Sequence, residues 1–140
     1  MTLYKDKLYP VEEKFKYPKA GEANSIVSIH VYDLNKKETK TMDVGEETDQ
    51  YIPRIKWTNT NHLLAIQRLN RLQNNLDVLF ANANTGNSEV AYHEENPYYI
   101  DIDDHWTFME DDSFIFSSEK DGYNHIYHIH PDGKEEQITK

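Results

Sequence analysis

Serine, histidine and paired carboxylates are the residues of this chain whose chemistry could matter, and their spacing decides which chemistry. A hydrolase serine sits on a G-x-S-x-G turn between strand and helix, where its oxygen is exposed and a nearby amide meets the oxyanion. Ser25, Ser28, Ser88, Ser113, Ser117 and Ser118 lack that string and fall in strand or turn contexts, so no catalytic residue is assigned. Two carboxylates converging on an ammonium would hold it by charge-assisted hydrogen bonds. Four Glu pairs invite that role: Glu12-Glu13, Glu46-Glu47, Glu94-Glu95 and Glu135-Glu136. Neighbouring residues on a strand point to opposite faces, so a bare pair does not converge, and all four are expected to be solvated surface.

The stretch DIDDHWTFMEDD offers Asp101, Asp103 and Asp104. A calcium loop wants alternating acids, a central Gly and a Glu at its twelfth position; the Gly is missing, so a charged connection is expected instead. In HIYHIH, alternation puts His128 and His130 on one strand face and His125 with Tyr127 on the other. Two imidazoles at i, i+2 can share a metal, but zinc needs at least one more ligand and the strand itself supplies none. No metal or cofactor is assigned, and these histidines are expected to be hydrogen-bonded between packed sheets.

The elements that must position such groups read as β-strands. Ten Tyr, five Phe and two Trp are a rich aromatic supply for half-buried strands. Short apolar runs, IPRIKW, LLAIQR, LDVLFANA and SEVAY, are separated by TNTNH, NRLQNN and NTGN. The same order returns as HWTFM, SFIFSS, HIYHIH and EEQIT, separated by EDD, EKDGYN and PDGK. Leu63, Ala65 and Gln67 match Phe114, Phe116 and Ser118 at an offset of 51, Asn75 matches Asn124 at 49, and Gly86 matches Gly133 at 47. That period is close to the roughly 40 to 50 residues of a four-stranded propeller blade. Ile26, Ile29, Val31 and Tyr32 lie in a run that ends at the turn DLNKKE, and Val31 to Leu34, followed by TKTMDV, matches only the last two strands of such a unit. Leu69, Leu72 and Leu76 fall at helical spacing, but Asn70, Asn74 and Asn75 among them favour turns. The expected fold is all-β: a partial β-propeller of about two and a half antiparallel blades, with a partial blade over 1–45 and blades over 50–94 and 98–140. Two open blade faces predict self-association or strand exchange of the segment by itself.

A net charge of −10 repels phosphate backbones and argues against a nucleic-acid partner. No stretch approaches the roughly 20 apolar residues of a spanning helix, so no membrane contact is expected of this segment. With no cysteine there is no disulfide or thiolate chemistry.

YPKAGEANSIVSIHVYDL, followed by RIKWTNTNHLLAIQRLNRLQNNLDVLFANANTG and FIFSSEKDGYNHIYHIHPDGK, resembles the propeller of the dipeptidyl peptidase IV family, of the prolyl oligopeptidase clan of serine peptidases. The resemblance runs from Leu8 to Lys140. It implies an exopeptidase that releases Xaa-Pro or Xaa-Ala dipeptides from peptide N-termini. It also implies an eight-bladed propeller over a hydrolase domain, absent from this chain, that works by acyl transfer through a serine with histidine as base. The family's catalytic residues belong downstream of such a segment, and its pair of amine-binding glutamates belongs upstream. The segment would wall the substrate chamber without being catalytic, and its parent would be periplasmic, secreted or membrane-anchored. A loop of this blade in the family reaches toward the substrate cavity with an aromatic beside an Arg; here NPYYIDIDD carries Tyr98 and Tyr99 but no Arg. Those two tyrosines are the candidate cavity residues. The alternatives are a self-contained β-rich module that binds a protein or peptide by edge addition, and a metal-dependent hydrolase built on His128 and His130.

Overall fold

Local turn chemistry cuts the chain into strands. In the turn DLNKKE, Asp33 Oδ1 accepts the amides of Asn35 and Lys36 at 2.9 and 3.0 Å, and Lys37 takes a left-handed φ of 56°. This closes the hairpin of β3 (His30–Asp33) and β4 (Glu38–Thr41). The computed structural model describes residues 2–3, 8–9, 11–12 and 19–140, of which β1 (Thr2–Leu3) and β2 (Val11–Glu12) form a separate antiparallel pair. Tyr17 and Pro18 lie outside the described residues, as do most of residues 1–18. The rest of that motif turns at Lys19, whose carbonyl accepts the Glu22 amide at 3.0 Å, and at Gly21 with φ 82°. The strand that follows starts at His30 rather than Ile26; Ile26 and Val27 stay exposed and unpaired.

The central sheet has five strands: β5 (Gln50–Tyr51), β6 (Ile55–Trp57), β7 (Leu63–Asn70), β8 (Asn75–Asn82) and β9 (Ser88–Glu95). β5 and β6 both pair with β7, and Pro53, which has no N–H to give a ladder, lies between them. The leucines at helical spacing belong to two strands and a turn. Asn70 Oδ1 accepts the amides of Asn74 and Asn75 at 3.0 and 3.1 Å, and Leu72 projects from the tip. The fourth sheet is a meander of β10 (Thr107–Phe108), β11 (Phe114–Ser118), β12 (His125–Ile129) and β13 (Glu135–Gln137). Every strand pair is antiparallel, and among the described residues there is no helix, hence none that could span a membrane.

The sheets stack as blades of a partial propeller. One face of the central sheet places Leu64, Ile66 and Leu79 against Met42, with Ile29, Val31 and Val44 packed around them. The other face places Ala65, Val78 and Tyr92 against Trp106, Phe108, Phe114, Phe116, Tyr127 and Ile129. β7 is thus covered on both sides, which is why LLAIQRL reads as a nearly continuous apolar run. The paired hairpins differ in one respect from their spacing. Offsets of 51 and 49 would set Phe114 opposite Pro131, but the ladder sets it opposite Ile129, whereas Leu63 faces Asn82. The slip is two residues, an even number, so the inward side chains stay inward.

Gly86 and Gly133 close equivalent turns with φ 87° and 80°. At Gly86 an added Cβ would lie 2.5 Å from the Thr41 carbonyl oxygen, while at Gly133 it would meet nothing within 4 Å. Gly133→Ala should therefore cost only the left-handed penalty of about 1–2 kcal/mol. Gly86→Ala should lower the urea midpoint further, because it also pushes the β3–β4 hairpin away from the central sheet; equal losses would show that this approach is not a constraint.

Candidate functional site

Tyr98 and Tyr99 sit on the connection between the central sheet and the last one, and the sequence explains how that connection is held. Asn96 forms an Asx turn, its Oδ1 accepting the amides of Tyr98 and Tyr99 at 2.9 and 3.4 Å. The Asn96 amide donates to the Asn74 carbonyl at 2.9 Å and the Ile100 amide to the Gln73 carbonyl at 2.8 Å, so the segment lies against the β7–β8 turn. Ile100 is buried beside Leu69 and Leu76 and pins it there. Above this anchor Tyr98 is 88% exposed and Tyr99 51%, with the Tyr99 hydroxyl donating to Gln73 Oε1 at 3.2 Å. The loop has no Arg of its own, but Arg71 lies on the turn it packs against, two residues from Gln73. Its guanidinium donates to the Glu22 carbonyl at 3.1 Å, faces Asp49 at 3.6 Å and lies 5.6 Å over the Tyr51 ring. An exposed aromatic pair on a fixed backbone can offer ring faces and a hydroxyl to a peptide.

The acidic stretch beyond it lines a cleft of about 260 Å³. Two of its carboxylates are engaged by the fold. Asp103 accepts the Ser117 amide at 2.6 Å and the His105 amide at 2.7 Å, and Asp104 pairs with Arg54. The Arg54 hydrogen bond holds the Asp104 carboxyl below its ordinary range. Among the described residues Asp101, Asp103 and Asp104 do not converge as three metal ligands.

One Glu pair departs from the expected solvated surface. Glu46, Glu47, Glu135 and Glu136 are exposed, and the side chains of Glu12 and Glu13 lie outside the described residues. Glu94, however, is only 5% exposed and is inserted between two sheets. It accepts hydrogen bonds from the Tyr92 hydroxyl at 3.0 Å and from Ser118 Oγ at 2.7 Å. Lys120 completes the cluster: its ammonium reaches the Tyr92 hydroxyl at 3.1 Å, pairs with Glu135 and lies 3.9 Å over the Tyr127 ring. A bulge explains the discrepancy. Val78 faces Tyr92 but Leu79 faces Val90, so Ala91 is an extra residue and the strand's alternation inverts there. Beyond the bulge Tyr92 and Glu94 are aimed into the seam.

Several of the serines are engaged in hydrogen bonds with neighbouring groups. Ser28 Oγ lies 2.8 Å from His30 Nε2, and Ser88 donates to the Asp43 carbonyl. Ser113, 1% exposed, donates from Oγ to Asp111 Oδ1 at 2.6 Å and lies 2.9 Å from His128 Nε2. The order acid–serine–histidine is not that of a catalytic triad, in which the histidine stands between the other two. His130 Nε2 lies 3.5 Å from Glu136 Oε2, and the β12–β13 ladder puts Glu136 opposite His128. The third potential ligand missing from the strand's own sequence is therefore supplied by the next strand. Only hairpin register could have revealed it.

Comparison with known proteins bears on the whole chain. A model of the family "Dipeptidyl peptidase IV (DPP IV) N-terminal region" matches residues 1–140. The structure is similar to Porphyromonas gingivalis dipeptidyl peptidase 4, with a TM-score of 0.85 and 38% identity over 100% of this chain and 20% of that one. A putative dipeptidyl aminopeptidase IV from Bacteroides ovatus gives a TM-score of 0.81 and 26% identity over 96% and 22%. Among curated proteins, the venom dipeptidyl peptidase 4 of Vespa velutina is 33% identical over 79 residues, 53% of this chain and 10% of that protein. A probable dipeptidyl-aminopeptidase B of Phaeosphaeria nodorum is 27% identical over 88% of this chain and 15% of its own length. The chain thus spans a fifth or less of the length of these curated relatives.

The Tyr92 cluster sets a pH dependence. Burial, then the Glu94 and Glu135 carboxylates, push the Tyr92 phenol well above its ordinary value, so the fold favours the protonated form. The unfolded chain releases that proton above about pH 10, and the stabilisation present below that pH is lost as pH rises. Urea midpoints should fall between about pH 9 and pH 11 in the wild type and fall less steeply in Tyr92→Phe. At neutral pH the same variant should lose about 1–3 kcal/mol, because Glu94 keeps one donor fewer. An alkaline slope identical in both proteins would remove Tyr92 as its source.

Proposed function

Given that the chain belongs to the dipeptidyl peptidase IV family, whose N-terminal region it represents, we propose that it is a wall of the substrate chamber in a serine exopeptidase releasing Xaa-Pro and Xaa-Ala dipeptides from peptide N-termini. In this reading the segment is not catalytic by itself: the nucleophile, its base and its acid lie in a hydrolase domain outside this sequence, and peptides are met only through the full-length enzyme. The observation that carries the proposal is the Asn96–Ile100 connection. It is bonded to the β7–β8 turn by two backbone hydrogen bonds and an apolar plug, yet it leaves Tyr98 and Tyr99 exposed. A loop fixed in this manner can present its rings without an ordering cost on binding.

Tyr99 is the better placed of the two, because its hydroxyl is already oriented by Gln73. The measurement is kcat/KM for chromogenic Xaa-Pro and Xaa-Ala substrates by the full-length enzyme. Tyr99→Ala should lower it about tenfold, the equivalent of roughly 1.4 kcal/mol of transition-state binding, and Tyr99→Phe less. An unchanged specificity constant in Tyr99→Ala would exclude the residue from the cavity. The segment expressed alone should release no dipeptide, and the open blade faces should make it associate; a stable, strictly monomeric species would favour the self-contained binding module instead.

A further inference from the structure

We propose that His128, His130 and Glu136 form a binding site for a divalent transition-metal ion of the zinc class on the outer face of the last sheet. Among the described residues this is the place where three potential ligand side chains have ligand atoms within 4.8 Å of one another. The geometry follows from the sheet. Strand alternation puts His128 and His130 on one side of β12, and the register puts Glu136 directly opposite His128 on β13. The imidazole centroids are 4.2 Å apart with planes inclined at 48°. His130 Nε2 and Glu136 Oε2 are separated by 3.5 Å. Two ligands each about 2.0–2.1 Å from a tetrahedral ion lie about 3.3–3.4 Å apart, so this pair needs little adjustment to share one.

A second observation is the network behind His128. The Ser113 hydroxyl gives its proton to Asp111, so its oxygen is left to accept, and the His128 Nε2 that touches it must carry the hydrogen. In neutral His128 the lone pair is therefore on Nδ1, free for a cation. A ligating histidine whose other nitrogen donates to a partner anchored by a carboxylate is the usual outer arrangement of protein metal sites. Here the anchor is the buried Ser113. Two imidazoles and a carboxylate suit zinc, and the fourth position stays open to water or to a donor from whatever packs on this face. In this segment Glu136 is exposed and both histidines are half-buried. The inference uses no part of the peptidase reading.

The test uses the full-length protein, freed of metal with a chelator and titrated with zinc against a chromogenic competitor. Wild type should bind one equivalent that His130→Ala does not. Glu136→Gln should weaken that equivalent tenfold or more, and Ser113→Ala, which removes no ligand, by about 10–100-fold. Cobalt in the same site should give visible bands of tetrahedral intensity that vanish in His130→Ala. Circular dichroism checks each variant, and if His130→Ala fails to fold, the exposed Glu136→Gln decides alone. Equal stoichiometry and affinity in wild type and Glu136→Gln, including no binding by either, would overturn the proposal.

Discussion

The aromatic seam between the central sheet and the last one is the contact on which the other features depend. Tyr92 and Phe80 meet Phe108, Phe114 and Phe116 at centroid distances from 5.1 to 6.2 Å, mostly tilted or edge-on, as the ring quadrupole favours. Such packing is strong but sets register weakly, since apolar surfaces can slide. Polar groups at the two rims supply the direction. At one rim Lys56 donates to the Trp106 carbonyl and Asn59 to the Phe108 carbonyl, so the side chains of β6 and its turn satisfy the last sheet's leading backbone. At the other, Glu94 is buried with Ser118, Tyr92 and Lys120 around it. A carboxylate in that position is tolerable only with its partners present, so wrong pairings of the sheets are penalised more than the right one is rewarded.

What the sequence made legible was whatever depends on neighbours along the chain. The strands of LLAIQR, LDVLFANA and HIYHIH, the asparagine-held turn after Asn70 and the doubling of the four-strand unit all follow from period-two patterns and local hydrogen bonding. Three things were not legible, each for want of a distant partner. Ile26 and Val27 read as strand, yet pairing begins at His30, where Thr41 lies opposite. Glu94 read as surface because nothing in SEVAYHEE marks Ala91 as a bulge. Glu136 read as one half of a solvated pair because its relation to His128 exists only in the ladder.

The molecule divides its labour by location. Interiors of the stacked sheets carry packing and the buried polar lock. The connection after β9 and the last sheet's outer face carry groups that are not packed away: Tyr98 and Tyr99 above the β7–β8 turn, and the two histidines with Glu136 across β12 and β13. A group exposed for another molecule is positioned best when the element beneath it cannot rearrange. Arg71 shows how close the two can come, since it lies on the turn that supports the tyrosines while its guanidinium donates to the Glu22 carbonyl and faces Asp49.

The two-residue difference in register between the hairpins has an evolutionary corollary. Phe114 faces Ile129 where the spacing of the earlier hairpin would have put Pro131, and the buried set is nevertheless intact. Blades of this kind can differ by sliding, but only in quanta of two, because sliding β12 by one residue past β11 would turn Tyr127 and Ile129 out of the seam and bring Ile126 and His128 in. An odd step needs a bulge, such as the one at Ala91 in the central sheet. Parity, rather than identity of residues, is the quantity these blades have had to inherit.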